Sequence, residues 1–119
     1  MANVIIRENL GEQHPSEVVQ YTFDLKQNSA FVGTSAETLD ENAVWRVVKS
    51  DALTTDLSST MVNASAYNNT LKTISVEIQA GVDGSTYYVA GLVTVASDRK
   101  YIVIGKLKFE NKLISVAFS

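Results

Sequence analysis

The sequence predicts an all-β domain, an antiparallel sandwich of about seven or eight strands. Three observations predict it. Apolar residues recur with a period of two along most of the chain. Clusters of Gly, Asn, Asp and Ser punctuate those runs at short intervals. No stretch of about twelve residues keeps the apolar stripe of an amphipathic helix. The chain has 119 residues. At about 150 residues per domain that leaves room for one fold and one core.

Val4 to Ile6 open the chain with a short apolar run, and Gly11 and Pro15, the only proline, break it from the body of the chain. Residues 1–16 therefore read as an N-terminal arm or an edge strand. Val19, Tyr21, Phe23 and Leu25 alternate with Gln20, Thr22 and Asp24. That is the pattern of a half-buried strand with Tyr21 and Phe23 on the core face. Residues 27–42 are polar and contain Gly33, which predicts a loop or short edge strand, with one helical turn near Glu37. Ala43, Trp45 and Val47 alternate with Val44, Arg46 and Val48, a second strand with the only tryptophan facing inward. Residues 51–69 are rich in Ser, Thr, Asn and Asp and suggest only a short strand at Met61 and Val62. Ile74, Val76 and Ile78 alternate with Ser75 and Glu77, the cleanest strand of the chain.

Gly81-Val82-Asp83-Gly84-Ser85 marks the next turn. Residues 86–96 are nearly all apolar, as expected of a central strand covered on both faces. Asp98-Arg99 reads as a hairpin tip. Residues 100–109 then carry Tyr101, Val103, Leu107 and Phe109 on one face. Asn111-Lys112 allows another tight turn, and Leu113 to Phe118 could form a last strand. The expected organisation is a sandwich over 17–109 with a C-terminal extension over 110–119.

Asp83-Gly84-Ser85-Thr86-Tyr87-Tyr88-Val89 is the most informative segment. In immunoglobulin-like sandwiches a tyrosine near the start of strand F sits two residues before a core position that often holds a cysteine. Its hydroxyl bonds back to the backbone upstream. Tyr87 and Val89 have this spacing, with Val89 as a plain core residue. Trp45 stands where a strand C tryptophan belongs, and Tyr21 or Phe23 fills the strand B core position. The competing reading is an ordinary Asp-Gly turn with Tyr87 an ordinary strand aromatic. Either way the segment speaks for stability rather than activity.

Composition excludes much chemistry. Ten Lys and Arg against thirteen Asp and Glu give a net charge of -3. A nucleic-acid partner would call for a basic excess. There is no cysteine, hence no disulfide, thiol nucleophile or Cys-ligated metal. No window approaches the roughly eighteen apolar residues of a membrane span, and Val4 to Ile6 is too short for a signal-peptide core. These features predict folding in a cytosol. The single histidine, His14, lies in a polar segment without a marked Ser or Asp partner for a triad. Asp51, Asp56 and Asp83 do not have the oxygen-ligand spacing of a calcium loop. Neither a cofactor, a metal nor a catalytic set is expected, and the chain reads as a non-enzyme.

A binding surface is another matter. Tyr88, Ala90 and Leu92 lie opposite Tyr87 and Val89, and Ile102 and Ile104 lie opposite Tyr101 and Val103. A second apolar face of this size is seldom left uncovered in a monomer. A terminal segment or another subunit would cover it, which makes Tyr88, Leu92, Ile102 and Ile104 the candidate interface. An outward Tyr88 could also serve a monomeric glycan- or ligand-binding module as a stacking platform. Arg99, Lys100, Lys106, Lys108 and Lys112 gather positive charge in the last quarter. They read either as lysine protection of an edge strand or as a charged docking face.

Taken in order, Tyr21-Thr22-Phe23-Asp24, Ala43-Val44-Trp45-Arg46-Val47, Thr73-Ile74-Ser75-Val76, the segment from Gly81 to Val89, Val93-Thr94-Val95 and Ser97-Asp98-Arg99 form a series. The series resembles the small immunoglobulin-like structural proteins of tailed bacteriophages, of the fibre–tail adaptor or neck type. It covers roughly residues 17–109. Asp98-Arg99 departs from the Gly-Arg hairpin of that pattern, and residues 1–16 and 110–119 lie outside it. The resemblance implies a virion structural protein made in the host cytoplasm. It would act through contacts with other virion proteins or as a homo-oligomer, without nucleic-acid or membrane binding. A capsid decoration (cement) protein is the variant of this reading at another place in the particle.

Overall fold

The computed structural model describes residues 4–25, 39, 42–68, 71–94 and 100–110. Among them seven strands run in the order β1 (Val4–Gln13), β2 (Val19–Asp24), β3 (Val44–Lys49), β4 (Val62–Asn68), β5 (Thr73–Ile78), β6 (Thr86–Thr94) and β7 (Lys100–Phe109). A short helical turn, α1 (Ser58–Met61), precedes β4. The strands form a four-stranded sheet of order β1-β7-β6-β3 and a three-stranded sheet of order β2-β5-β4. The chain is therefore an all-β sandwich. The order β3-β6-β7 against β4-β5-β2 is that of strands C-F-G against D-E-B in the immunoglobulin fold. The first strand joins the sheet of the last, and it does so in parallel.

The core follows from alternation. Ile74, Val76 and Ile78 from β5 face Val89 and Val93 from β6 and Tyr101, Val103, Leu107 and Phe109 from β7, all buried. Phe23 and Trp45 pack across the sandwich with ring centroids 5.7 Å apart. Trp45 lies directly over Gly91, its register partner on β6. A Cβ at residue 91 would stand 2.8 Å from the indole ring, so the tryptophan fits only because that position has no side chain. Tyr87 meets Phe109 edge to face at 5.5 Å. Of the two aromatics expected at the strand B core position, Phe23 is fully buried, and Tyr21 packs half-buried at the margin.

Gln13 joins the sheets by a polar route. It ends β1 and is buried. Its Nε2 donates to the Ile78 carbonyl at 2.8 Å and to the Glu17 carbonyl at 2.9 Å. Its Oε1 accepts from the Tyr21 hydroxyl at 2.8 Å. A buried amide is tolerated where its donors and acceptor are used in this way.

Several expectations change. The segment 1–16 is a strand for most of its length: β1 pairs with β7 from Val4 to Gln13, with a bulge between Asn9 and Gly11. Of the two readings of residues 1–16, arm or edge strand, Val4–Gln13 takes the edge strand. β4 is longer than Met61 and Val62 suggested. β6 is buried on one face only, with intermediate exposure alternating with full burial, so it is not the doubly covered strand its composition implied. β7 is interior to its sheet, so its lysines guard no edge. The helical turn near Glu37, the Asp98-Arg99 tip and the strand from Leu113 to Phe118 lie outside the described residues.

Candidate interaction surface

The outward face of β1-β7-β6-β3 is built by the same alternation that fills the core. Each strand turns one set of alternate residues inward and the other outward, and register aligns the outward ones in rows. Val48, Tyr88, Lys106 and Asn9 form one row, and Arg46, Ala90, Ile104 and Arg7 the next. Val44, Leu92 and Ile102 form a third. All four candidate interface residues, Tyr88, Leu92, Ile102 and Ile104, therefore share one face. Each has intermediate exposure.

Two adjoining grooves cross this face. One, of about 660 Å³, has Val48, Leu53, Tyr88, Ala90 and Ile104 along it, with Arg7, Glu8 and Lys106 also lining it. The other, of about 220 Å³, runs between Val44, Leu92 and Ile102 and reaches Ala90 and Arg46. Ala90 is common to both, so the apolar surface is continuous. Val44 is 59% exposed and Leu53 62% exposed. Leu53 carries no sequence signal of its place here, because it sits in a turn after β3, where periodicity has nothing to say.

The surface carries charged as well as apolar side chains, with Glu8 beside Arg7 and Lys106 at the groove. Arg7, Arg46, Lys100, Lys106 and Lys108 point outward from it, with Glu12 as the acid in the same rows. Arg46 makes a loose pair with Asp56 at 3.7 Å and Lys108 pairs with Glu110 at 3.3 Å. Arg7, Lys100 and Lys106 make no ion pair among the described residues. Because β7 is interior to its sheet, edge protection does not account for its lysines. Arg99 and Lys112 lie outside the described residues.

The opposite side of the sandwich differs. The outward rows of β2-β5-β4 are Gln20, Glu77 and Ala64, then Thr22, Ser75 and Ala66, then Asp24, Thr73 and Asn68. Small polar side chains and two carboxylates make up these rows, with no Lys or Arg. A shallow depression of about 90 Å³ lies over Ala64, Ala66 and Ser75.

The fold-bearing residues stand apart from this surface. Tyr87, Val89, Trp45 and Phe23 are buried. The Tyr87 hydroxyl accepts the Val82 backbone N–H at 3.0 Å, the back-bond that defines a tyrosine corner. The indole Nε1 of Trp45 is buried with no hydrogen-bond partner among the described residues.

Asp56 and Tyr21 are displaced from their ordinary titration by their surroundings. Asp56 Oδ1 accepts from the Ser58 N–H at 3.0 Å and from the Val47 N–H at 3.3 Å. The backbone bond from Ser58, then its hydroxyl, the Val47 N–H and Arg46, hold this carboxyl below the usual range, against a smaller opposing effect of desolvation. Val47 lies on the outer edge of β3, so Asp56 covers part of that edge. Tyr21 is pushed up to about 12 by burial and by the nearby charge of Glu17.

His14 does have a serine beside it, which the sequence does not mark. Its Nδ1 lies 2.7 Å from Ser16 Oγ and accepts the Ser16 N–H at 3.1 Å. The nearby Glu17 carboxylate binds the His14 backbone N–H and not the ring. The Ser16 backbone N–H and hydroxyl both meet the same ring nitrogen, so the pair is a local turn motif. Among the described residues, no three His, Cys, Asp or Glu side chains gather as a metal site. Among them also, no helix is long and apolar enough to cross a membrane.

No protein-family model matches the chain, and no curated protein matches it in sequence.

Proposed function

We propose that this chain is a non-enzymatic structural protein that works by protein–protein contact, as a component of a tailed-phage virion of adaptor or neck type. The observation that carries the reading is the outward face of β1-β7-β6-β3. It is a continuous apolar surface crossing a sheet whose other side is already the core. A second apolar face of this size is seldom left uncovered. The order of segments from Tyr21 to Arg99, and their resemblance to the phage proteins, supply the biological setting. A decoration protein on the capsid shell would use the same face at another place in the particle.

Mass spectrometry of density-banded particles from the phage or prophage that encodes the chain tests the reading. The expected result is the chain in constant proportion to the major capsid protein across the band. Its absence from banded particles, with the chain present in the lysate, would overturn the virion role.

A further inference from the structure

The larger groove on the outward face lies close to the point where the chain leaves the sheet. The Glu110 backbone N–H donates to the Gln13 carbonyl at 2.9 Å. Its carboxylate pairs at 3.3 Å with Lys108, an outward residue of β7. Glu110 therefore sits at the border of the outward face. Back along β7 from there lie Lys106 and then Ile104, which line the groove with Tyr88 and Ala90 of β6. Ala90 is the smallest of the lining side chains and leaves a hollow between Tyr88 and Ile104. The charged residues Arg7 and Glu8 line the β1 side, so the apolar part lies toward β6 and β3.

Residues 111–119 follow Glu110 and read Asn-Lys-Leu-Ile-Ser-Val-Ala-Phe-Ser. Ile114, Val116 and Phe118 alternate with Ser115 and Ala117, the pattern of an extended segment with one strongly apolar side. The inner face of the sheet it leaves is filled by Val89, Val103, Leu107 and Phe109, all buried. The outer face holds the open groove. The reach fits. Three Cα steps from Glu110 to Leu113 cover about 10 Å, the spacing of packed β layers. A return antiparallel to β7 then brings residue 118, five positions past 113, over residue 105, five positions before 110. That is between Lys106 and Ile104, beside Ala90. Phe118, the largest side chain of the segment, thus meets the hollow. A ligand tethered this closely acts at a roughly millimolar effective concentration. An extended segment lying on a sheet keeps both of its own edges in water, so its backbone groups stay hydrated.

We propose that the occupant of the groove in the free chain is its own C-terminal segment, residues 113–118, with Phe118 seated between Tyr88 and Ile104 over Ala90. The segment is a strap on the contact face. A partner that takes the whole face must lift it, so the strap sets when the face opens. Lys106 is exposed, and its long stem keeps the ammonium in water at the groove's rim. The inference rests on the contact role proposed above for its consequence. The docking itself is read in the purified chain, so its failure leaves the particle test standing, and failure of the particle test leaves the docking standing.

Nuclear Overhauser spectra of the full chain, with labelled Ile and Ala methyls and labelled Phe rings, test it. Cross-peaks from the Phe118 ring to the Ile104 and Ala90 methyls are expected, and they should persist on dilution. Phe118→Ala should lose the ring-current displacement of both methyls and raise binding of the apolar dye 1-anilinonaphthalene-8-sulfonate several-fold, with the Trp45 and Tyr87 signals of the core unmoved. Ala90→Leu fills the hollow from the other side and should displace Phe118, with the same loss at Ile104. Absence of the cross-peaks, with Ile104 and Ala90 methyl positions equal in wild type and Phe118→Ala, overturns the proposal. So do cross-peaks between labelled and unlabelled copies in a mixed sample, which would make the occupant another molecule's segment.

Discussion

The Tyr87 hydroxyl accepts the backbone N–H of Val82 at 3.0 Å, across the turn that leads into β6. Residues 83 and 84 between them turn the chain, with Gly84 at φ 82°, a conformation glycine adopts without a Cβ penalty. The tyrosine ring is buried against Phe109, so one side chain anchors the turn to both the core and the neighbouring strand. Tyr87→Phe keeps the ring and loses the bond. Stability should fall by about 1 kcal/mol, seen as a lower urea midpoint at unchanged slope.

Trp45 combines a large packing contribution with an indole N–H that has no partner among the described residues. Trp45→Ala should cost about 3–5 kcal/mol through the cavity it leaves. Trp45→Phe removes the orphaned Nε1 along with part of the ring, so its cost in the same denaturation experiment should be clearly smaller. The native emission spectrum should be blue-shifted and should move to the red on unfolding.

Gln13 is the polar link between β1 and the three-stranded sheet. Gln13→Leu preserves most of the volume but leaves the Ile78 carbonyl and the Tyr21 hydroxyl without their partner. The expected loss is about 1–3 kcal/mol. Amide hydrogen exchange should quicken along β1 more than along β5, because among the described residues β1 is paired on one side only and β5 on both.

Stability should also respond to alkaline pH through Tyr21. Its folded form keeps the phenol proton up to about 12, while the unfolded chain releases it near 10. The folded state thus binds more protons in that window. The contribution is present in full below pH 10, declines as pH rises from 10 toward 12, and then levels off. Tyr21→Phe should lack this part of the decline when the two pH profiles are subtracted.

Strands with one buried face were legible because burial imposes the period. β2, β3, β5 and β7 all show it, and Phe23, Trp45, Ile74 and Tyr101 fall on the inward side as their spacing requires. β4 was nearly invisible: after Val62 its residues are exposed on both faces, so no alternation is selected. β1 could be read as arm or strand, since its partner β7 lies about a hundred residues away and parallel pairing leaves no local turn signal. The same long-range pairing makes β7 an interior strand, so its lysines guard no edge. Apolar residues on both sides of β6 were legible, but which side was covered depended on the other sheet. The serine beside His14 and the buried state of Gln13 have no sequence signal at all.

Lysine acetylation footprinting at Lys106 tests the central claim, that the outward face of β1-β7-β6-β3 is a protein-binding surface, most directly. The chain would be labelled as purified protein in dilute solution and within banded particles, with modification read by mass spectrometry. The account predicts that Lys106 labels readily in the dilute purified chain and is protected in particles. Equal labelling of Lys106 in both would contradict it.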